Sequence, residues 1–249
     1  MIKKMIAVWG SNGSGKSAIS LALASALANK KNNVVIINTS TTIPHLPIFI
    51  PTLTKTNSDN SIGSLFTEKD LNESKLKNKI AIHPQNDNIG IMALVSGENP
   101  FTYSDFLKEN VFTFFNILND TAFDYIIFDC ESNPIYDAVT MMALDVADVK
   151  FQIVTPNIKG AEFLKTQASY LRQESKYTFD DMIRVISPVK ENTPIALIDE
   201  LLGGYQYALP FSKEVDNAFL SGTLIRGFNK KAGIKYINVI NKIVKEQIE

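Results

Sequence analysis

The stretch Trp9-Gly10-Ser11-Asn12-Gly13-Ser14-Gly15-Lys16-Ser17 constrains this chain more than any other. It matches G-x-x-x-x-G-K-[ST], a phosphate-binding loop. Met5 to Trp9 before it is a short apolar run that predicts a buried strand. Ser17 to Ala28 after it is rich in Ala and Leu and predicts a helix. A strand, a glycine loop and a helix N-terminus together make an anion site. Backbone N–H groups wrap the phosphates and the helix dipole favours negative charge there. The candidate binding residues are Gly10, Ser11, Asn12, Gly13, Ser14, Gly15, Lys16, Ser17 and Ala18. Lys16 would reach the β- and γ-phosphates of a nucleotide, and Ser17 would ligate Mg²⁺.

Val34 to Ile37 predicts a second buried strand, so the chain begins β-loop-α-β, the start of a parallel sheet. Three prolines, Pro44, Pro47 and Pro51, argue against a regular helix over 43–51, and 53–60 is polar loop. Short helices are expected near 61–66 and 70–76, and strands over 80–83 and 89–95. An aromatic helix is expected over 104–118, with Asp105 in its first turn and Phe106, Val111, Phe114, Phe115 and Leu118 as core. Further strands fall at 123–129, 149–154, 182–186 and 205–209, alternating with helices at 137–146, 160–172, 195–202, 215–220 and 235–247. Alternation of this kind, in a chain of 249 residues, predicts one α/β domain over 1–249.

Asp129 ends the apolar run Phe123-Asp124-Tyr125-Ile126-Ile127-Phe128 and is a candidate Mg²⁺ ligand. Glu131 lies two residues on. If the strand continues, alternation places it on the side of Asp129, where it could orient an attacking water; a solvated loop glutamate is the alternative.

With these residues in place the chain resembles the ParA/MinD group of P-loop ATPases, nearest in style to the pilus-associated CpaE/TadZ members. The resemblance is carried by the loop at Gly10–Ser17 and by Phe123–Asp129, similar to "FDYIIID". Ala143 to Pro156 is similar to "AADxxxxVTTP", and Ala208 to Ala218 to "IPYDxEVxxA". It implies a doubly wound, mainly parallel sheet flanked by helices, and ATP and Mg²⁺ binding, with ATP-dependent homodimerisation as a switch and a protein partner in an assembly apparatus. The departures bear on activity. The group's loop reads G-K-G-G-x-G-K-[ST], and its first lysine crosses to a partner's nucleotide. Here that place holds Ser11, and Asn12 replaces a glycine. The group's second strand ends in Asp-x-Asp; here the residues are Asn38-Thr39-Ser40. A serine supplies no long-reach cation, and neither Asn38 nor Ser40 offers a charge to a metal or a strong base. Losing one positioning group commonly costs ~10²–10⁴ in rate, so slow hydrolysis is the most to expect.

In the same group the base sits near a late strand and a proline loop, which places Pro188, Pro210 and Phe211 at a candidate base pocket; ordinary strand-ending turns are the alternative. His45 and His83 have no ligand spacing and are expected in loops or at the surface. Cys130 is the single cysteine, too few for a cluster bridged by two cysteines per subunit, and it fits a reducing compartment. The C-terminal region carries Arg226, Lys230, Lys231, Lys235, Lys242 and Lys245, with Ile234, Ile237, Ile240, Val244 and Ile248 at helical spacing. It is either a closing helix with a basic outer face or a surface for DNA phosphates or anionic lipid. A net charge of −1 gives no global pull toward either. No long apolar run is present, so a cytoplasmic protein is expected, recruited to membrane or nucleoid only through partners. Three functions follow as expectations: a nucleotide-dependent positioning switch serving a pilus, secretion or conjugation apparatus, a partition ATPase that binds DNA non-specifically, or a nucleotide-binding scaffold without turnover.

Overall fold

The computed structural model describes residues 3–51, 61–99, 101–103, 108–134, 137–174 and 181–249. The expected polar loop at 53–60, and Asp105 and Phe106, lie outside them. An 8-stranded sheet runs in the order β3-β4-β2-β5-β1-β6-β7-β8. Its strands are β1 (Lys4–Gly10), β2 (Val34–Asn38), β3 (Ala81–His83), β4 (Asn86–Met92), β5 (Tyr125–Asp129), β6 (Val149–Val154), β7 (Ile183–Val189) and β8 (Tyr207–Pro210). All neighbours pair in parallel except β3, which turns back antiparallel on β4 at the sheet's edge. This is an α/β architecture with a mainly parallel sheet and helices on both faces, as expected from the sequence.

The two faces of the sheet explain why the central strands are apolar throughout. In β1, Ile6 and Val8 enter one core layer, while Met5, Ala7 and Trp9 enter the other. The alternation is that of any strand, but helices cover both sides, so both sets are buried. The first layer lies under α1 (Lys16–Ala28), α9 (Lys213–Leu220) and α10 (Lys231–Ile243). The second lies under α5 (Lys108–Asp120), α6 (Ala138–Val146), α7 (Ile158–Glu174) and α8 (Ile195–Leu202). Trp9 and Phe128 are fully buried in that second layer. Fully burying such a side chain is worth roughly 1.5–3 kcal/mol.

Three expectations need correction. The proline-punctuated stretch does hold one helical turn, α2 (Leu46–Phe49). Pro47 sits in its first turn, where a missing N–H costs nothing. The strand expected over 89–95 runs instead from Asn86 to Met92, and Ala93 to Val95 leave the sheet. The strand expected to end at Ile186 continues through Ser187-Pro188 to Val189. The register with β8 shifts between Ile186 and Val189, which accommodates a residue that cannot donate to the ladder. The short helices α3 (Ile62–Leu65) and α4 (Glu73–Lys77) are N-capped by Ser61 and Asn72, whose side chains accept from Gly63 N and Lys75 N.

The C-terminal region forms α10 and a π-helical turn, Val244–Ile248. Tyr236, Ile240, Ile243, Val244 and Ile248 are buried in the first layer, and Ile237 is partly buried. Ile234 remains 44% exposed. Among the described residues no helix is long and apolar enough to cross a membrane.

Candidate functional site

β1 lies between β5 and β6, so its C-terminal end opens at the point where the chain's winding direction changes. In open α/β sheets ligands collect at such a crevice. Gly10 closes β1 so tightly that an added Cβ would stand 1.8 Å from the Ile153 carbonyl oxygen of β6. Ser11 then turns toward β6. Its N–H donates to Ile153 O at 3.0 Å, its Oγ accepts from Thr155 N at 3.0 Å, and Oγ also lies 3.0 Å from Thr155 Oγ1. Ser14 Oγ donates to Ser11 O at 2.7 Å and pins the loop from within. Gly13 and Gly15 have φ of 72° and 86°, left-handed values that glycine adopts without steric cost. Gly15 caps α1 without a side-chain bond, which leaves first-turn N–H groups for an anion.

Three candidate residues converge beyond the loop. Ser17 Oγ donates to Asp129 Oδ2 at 2.7 Å. Lys16 Nζ donates to Ser132 Oγ at 2.6 Å and lies 3.4 Å from Ser11 O. Burial lowers the Lys16 pKa, and the nearby carboxylates of Asp129 and Glu131 oppose that shift. An arriving anion would add counter-charge and favour the charged form of this buried lysine. Asp129 is 1% exposed and receives further donors: Asn38 Nδ2 at 2.8 Å and Ser20 Oγ at 3.4 Å. Asn38 is itself oriented, because its Oδ1 accepts from Ser40 N at 3.1 Å.

Lys16, Ser17, Asp129, Glu131, Asn12, Gly13, Gly15 and Ala18 line one cavity of about 260 Å³. β5 stops at Asp129, so strand alternation does not carry Glu131. The residue still reaches the cavity wall. Its Oε1 accepts from Ser132 N at 2.8 Å and its Oε2 from Thr42 Oγ1 at 3.4 Å. His45, expected as a loop histidine, borders the same cavity. A neighbouring cavity, also about 260 Å³, holds Pro188, Pro210 and Phe211 together with Gly13, Gly15 and Ala18 of the loop. Lys190 Nζ stands 5.8 Å from the Phe211 ring centroid. His83, expected at the surface, is instead fully buried, with Nδ1 accepting from Gln85 N at 3.2 Å. Cys130 is buried beside the site and its thiol is held well above its usual pKa, first by burial and then by Asp129 and Asp137.

The donor set fits Mg²⁺. It offers a carboxylate and a hydroxyl oxygen, hard ligands that leave most of the coordination sphere to water and phosphate. The glycine loop, the free first turn of α1 and Lys16 fit a polyphosphate. Sequence reasoning missed Ser20, Ser132 and Thr155. Ser20 is three residues past Ser17 on the same helix face, so spacing could have found it. Ser132 and Thr155 become neighbours of the loop only through sheet order, which leaves no local signal.

No protein-family profile and no curated relative matches the sequence. Its structural neighbours are ATPases of the ParA and MinD type. A ParA family ATPase from Chlorobium tepidum superposes with a TM-score of 0.75 at 16% identity, over 98% of this chain and 99% of that one. The septum site-determining protein MinD of Pyrococcus horikoshii, solved with Mg-ADP, gives 0.72 at 14% identity over 98% and 97%. A candidate plasmid partition protein from Borrelia burgdorferi, bound to AMPPNP, gives 0.74 at 18% identity over 98% and 100%. Identities this low establish a shared fold across the whole length.

Proposed function

We propose that the chain binds ATP with Mg²⁺ and acts as a nucleotide-dependent positioning or assembly switch of the ParA/MinD type, with slow hydrolysis at best. The observation that carries this reading is the convergence of Lys16, Ser17 and Asp129 on a glycine loop at the sheet's crevice. In this reading the N–H groups of Gly13 to Ser17 and the Lys16 ammonium hold the phosphates. Ser17 and Asp129 hold Mg²⁺, which when bound would offset phosphate charge. Pro188, Pro210 and Phe211 flank the base, in a cavity that shares Gly13, Gly15 and Ala18 with the phosphate cavity. The Mg-ADP and AMPPNP found with two structural neighbours support the ligand class.

Slow turnover follows from what stands beside Asp129. Asn38 offers an amide there and cannot take a proton from water. Glu131 is the remaining candidate to orient water, and its carboxylate already accepts from Ser132 N and Thr42 Oγ1. The same observation favours a second reading, a nucleotide-binding scaffold without turnover. Service to a pilus, secretion or conjugation apparatus rests on the sequence resemblance, as does ATP-driven dimerisation, which here would proceed without a lysine at position 11. DNA partition is the alternative carried by the sequence resemblance, and burial of much of the apolar side of α10 in the core argues against that helix as a lipid-binding tail.

Calorimetry with ATP and Mg²⁺, wild type against Lys16→Ala, tests the binding site. Saturable binding by the wild type and at least a tenfold loss in the variant is expected; absence of wild-type binding overturns the reading. Steady-state phosphate release from the same two proteins then separates switch from scaffold, since equal rates remove the enzyme. Mass in solution with no nucleotide, ADP and ATP–Mg²⁺ reads dimerisation directly.

A further inference from the structure

A second cavity, about 350 Å³, lies at the same edge of the sheet but across the end of β2 from the phosphate cavity. That volume suits a small organic molecule. Asn38 and Ser40 line both spaces, so the turn that closes β2 is a shared wall. The far wall is Ile62, Phe66 and Leu94 with the ring of Tyr103.

Most of the polar groups around this cavity already have partners within the protein. Asn38 is bound to Asp129 and Ser40 N. Ser40 Oγ accepts from Ile43 N at 3.2 Å, and Thr39 Oγ1 accepts from Glu131 N at 2.9 Å. Asp137 caps α6: its Oδ1 takes Val139 N at 3.0 Å and Thr140 N at 3.2 Å, and its Oδ2 takes Thr140 Oγ1 at 2.8 Å. Asn99 Oδ1 accepts from Phe101 N at 2.9 Å. An apolar occupant therefore leaves none of these paired groups orphaned, and a strongly polar one finds most of them already engaged. Among the described lining residues none is basic, and Asp137 is a carboxyl group whose pKa burial raises. An anionic occupant would meet no counter-charge among them.

Hydrogen bonds also hold the wall of this space together. Tyr103 Oη donates to Glu98, whose Oε2 accepts from Ser61 Oγ at 2.5 Å and Val95 N at 2.8 Å. Gly63 lets that ring close in, since a Cβ there would stand 2.3 Å from it. A preformed apolar cavity keeps its volume without a ligand and charges little ordering entropy to fill.

We propose that this cavity is a second ligand site, for a small, neutral, mainly apolar molecule, coupled to the nucleotide site through the Asn38–Ser40 turn. The coupling rests on the nucleotide reading above; the site itself does not. Any factor by which the occupant changes nucleotide affinity must equal the factor by which nucleotide changes the occupant's affinity.

The test titrates N-phenyl-1-naphthylamine, a neutral fluorescent probe, into the full chain without nucleotide. Expected is saturable binding of one probe per chain, weakened at least tenfold in both Ala138→Phe and Thr41→Phe, which fill the cavity from two sides. Both variants are to melt within a few degrees of wild type, so that lost binding is not lost folding. No saturable binding, or equal binding by wild type and both folded variants, overturns the site. Equal affinity for the anionic analogue 8-anilinonaphthalene-1-sulfonate overturns the neutral class. Repeating the titration at saturating ATP–Mg²⁺ reads the coupling: an altered probe affinity, matched by the same factor in calorimetric ATP affinity, is expected. An unchanged value overturns the coupling and leaves the site. Absence of ATP binding by calorimetry strikes the nucleotide reading alone.

Discussion

Asn38→Asp would place a carboxylate where the amide now donates to Asp129. The perturbation is local and its size can be worked out. The amide contacts Asp129 Oδ2 at 2.8 Å and Asp129 O at 3.2 Å, and the two residues are 2% and 1% exposed. Substitution removes both bonds and sets two carboxylates side by side out of water. Two like charges about 4 Å apart repel by about 4 kcal/mol at an effective dielectric constant of 20. The alternative is to hold one proton on the pair. Keeping a carboxyl of ordinary aqueous affinity protonated at pH 7 costs about 4 kcal/mol as well. Either route predicts a melting temperature lower by roughly 8–16 °C for a chain of this size, at about 2–4 °C per kcal/mol. The cost falls to about 1.5 kcal/mol at pH 5, where protonation is cheaper. Mg²⁺ reverses the sign of the local interaction and returns most of the loss. The assay is calorimetric melting of variant and wild type in chelator at pH 7 and pH 5, then at millimolar Mg²⁺. A variant that melts within 2 °C of wild type in chelator at pH 7 would refute the contact. One that is destabilised but indifferent to Mg²⁺ would refute Asp129 as a metal site.

Two further outcomes follow from the same geometry. Trp9 Nε1 donates to Ser132 O at 3.2 Å, and Ser132 Oγ accepts from Lys16, so the single tryptophan is two bonds from the proposed phosphate contact. ATP–Mg²⁺ is expected to change Trp9 emission in step with calorimetric occupancy, and flat emission at full occupancy would break that chain of contacts. His83 is buried, and burial lowers its pKa from 6.5. The unfolded ring takes a proton where the folded one does not, so stability is lost as pH falls from 6.5 toward the lowered value. His83→Asn should flatten that acid limb by up to about 1.4 kcal/mol per pH unit, read from denaturant melts between pH 7 and pH 5. Superimposable limbs would show that the ring is already charged when folded.

The fold was legible because its signal is local. An apolar run, a glycine loop and an Ala/Leu helix announce a parallel β-α unit, and the strand ending at Asp129 marks its neighbour. The loop and the metal-site candidates were legible for the same reason, since each sits at a fixed offset from a strand end. What escaped depends on sheet order. Nothing near Ser132 says that Lys16 will reach it, and nothing near Thr155 says that Ser11 will bind it. His83 was misjudged because a lone histidine carries no periodicity; its burial follows from the hairpin that β3 makes with β4. The one-turn helix at Leu46–Phe49 was hidden by counting prolines without asking which turn each would occupy.

The Ser11–Thr155 clasp also constrains how this chain could change by mutation. A lysine at position 11 would be too long to keep Ser11's place against β6. It would leave the N–H and hydroxyl of Thr155 without their partner before gaining any charge useful to a second subunit. The two positions are therefore tied in their mutational effects. A single step toward a lysine-bearing loop carries a penalty that only a second change, at Thr155, relieves. Reconstructing that pair in both orders would show which path the fold permits.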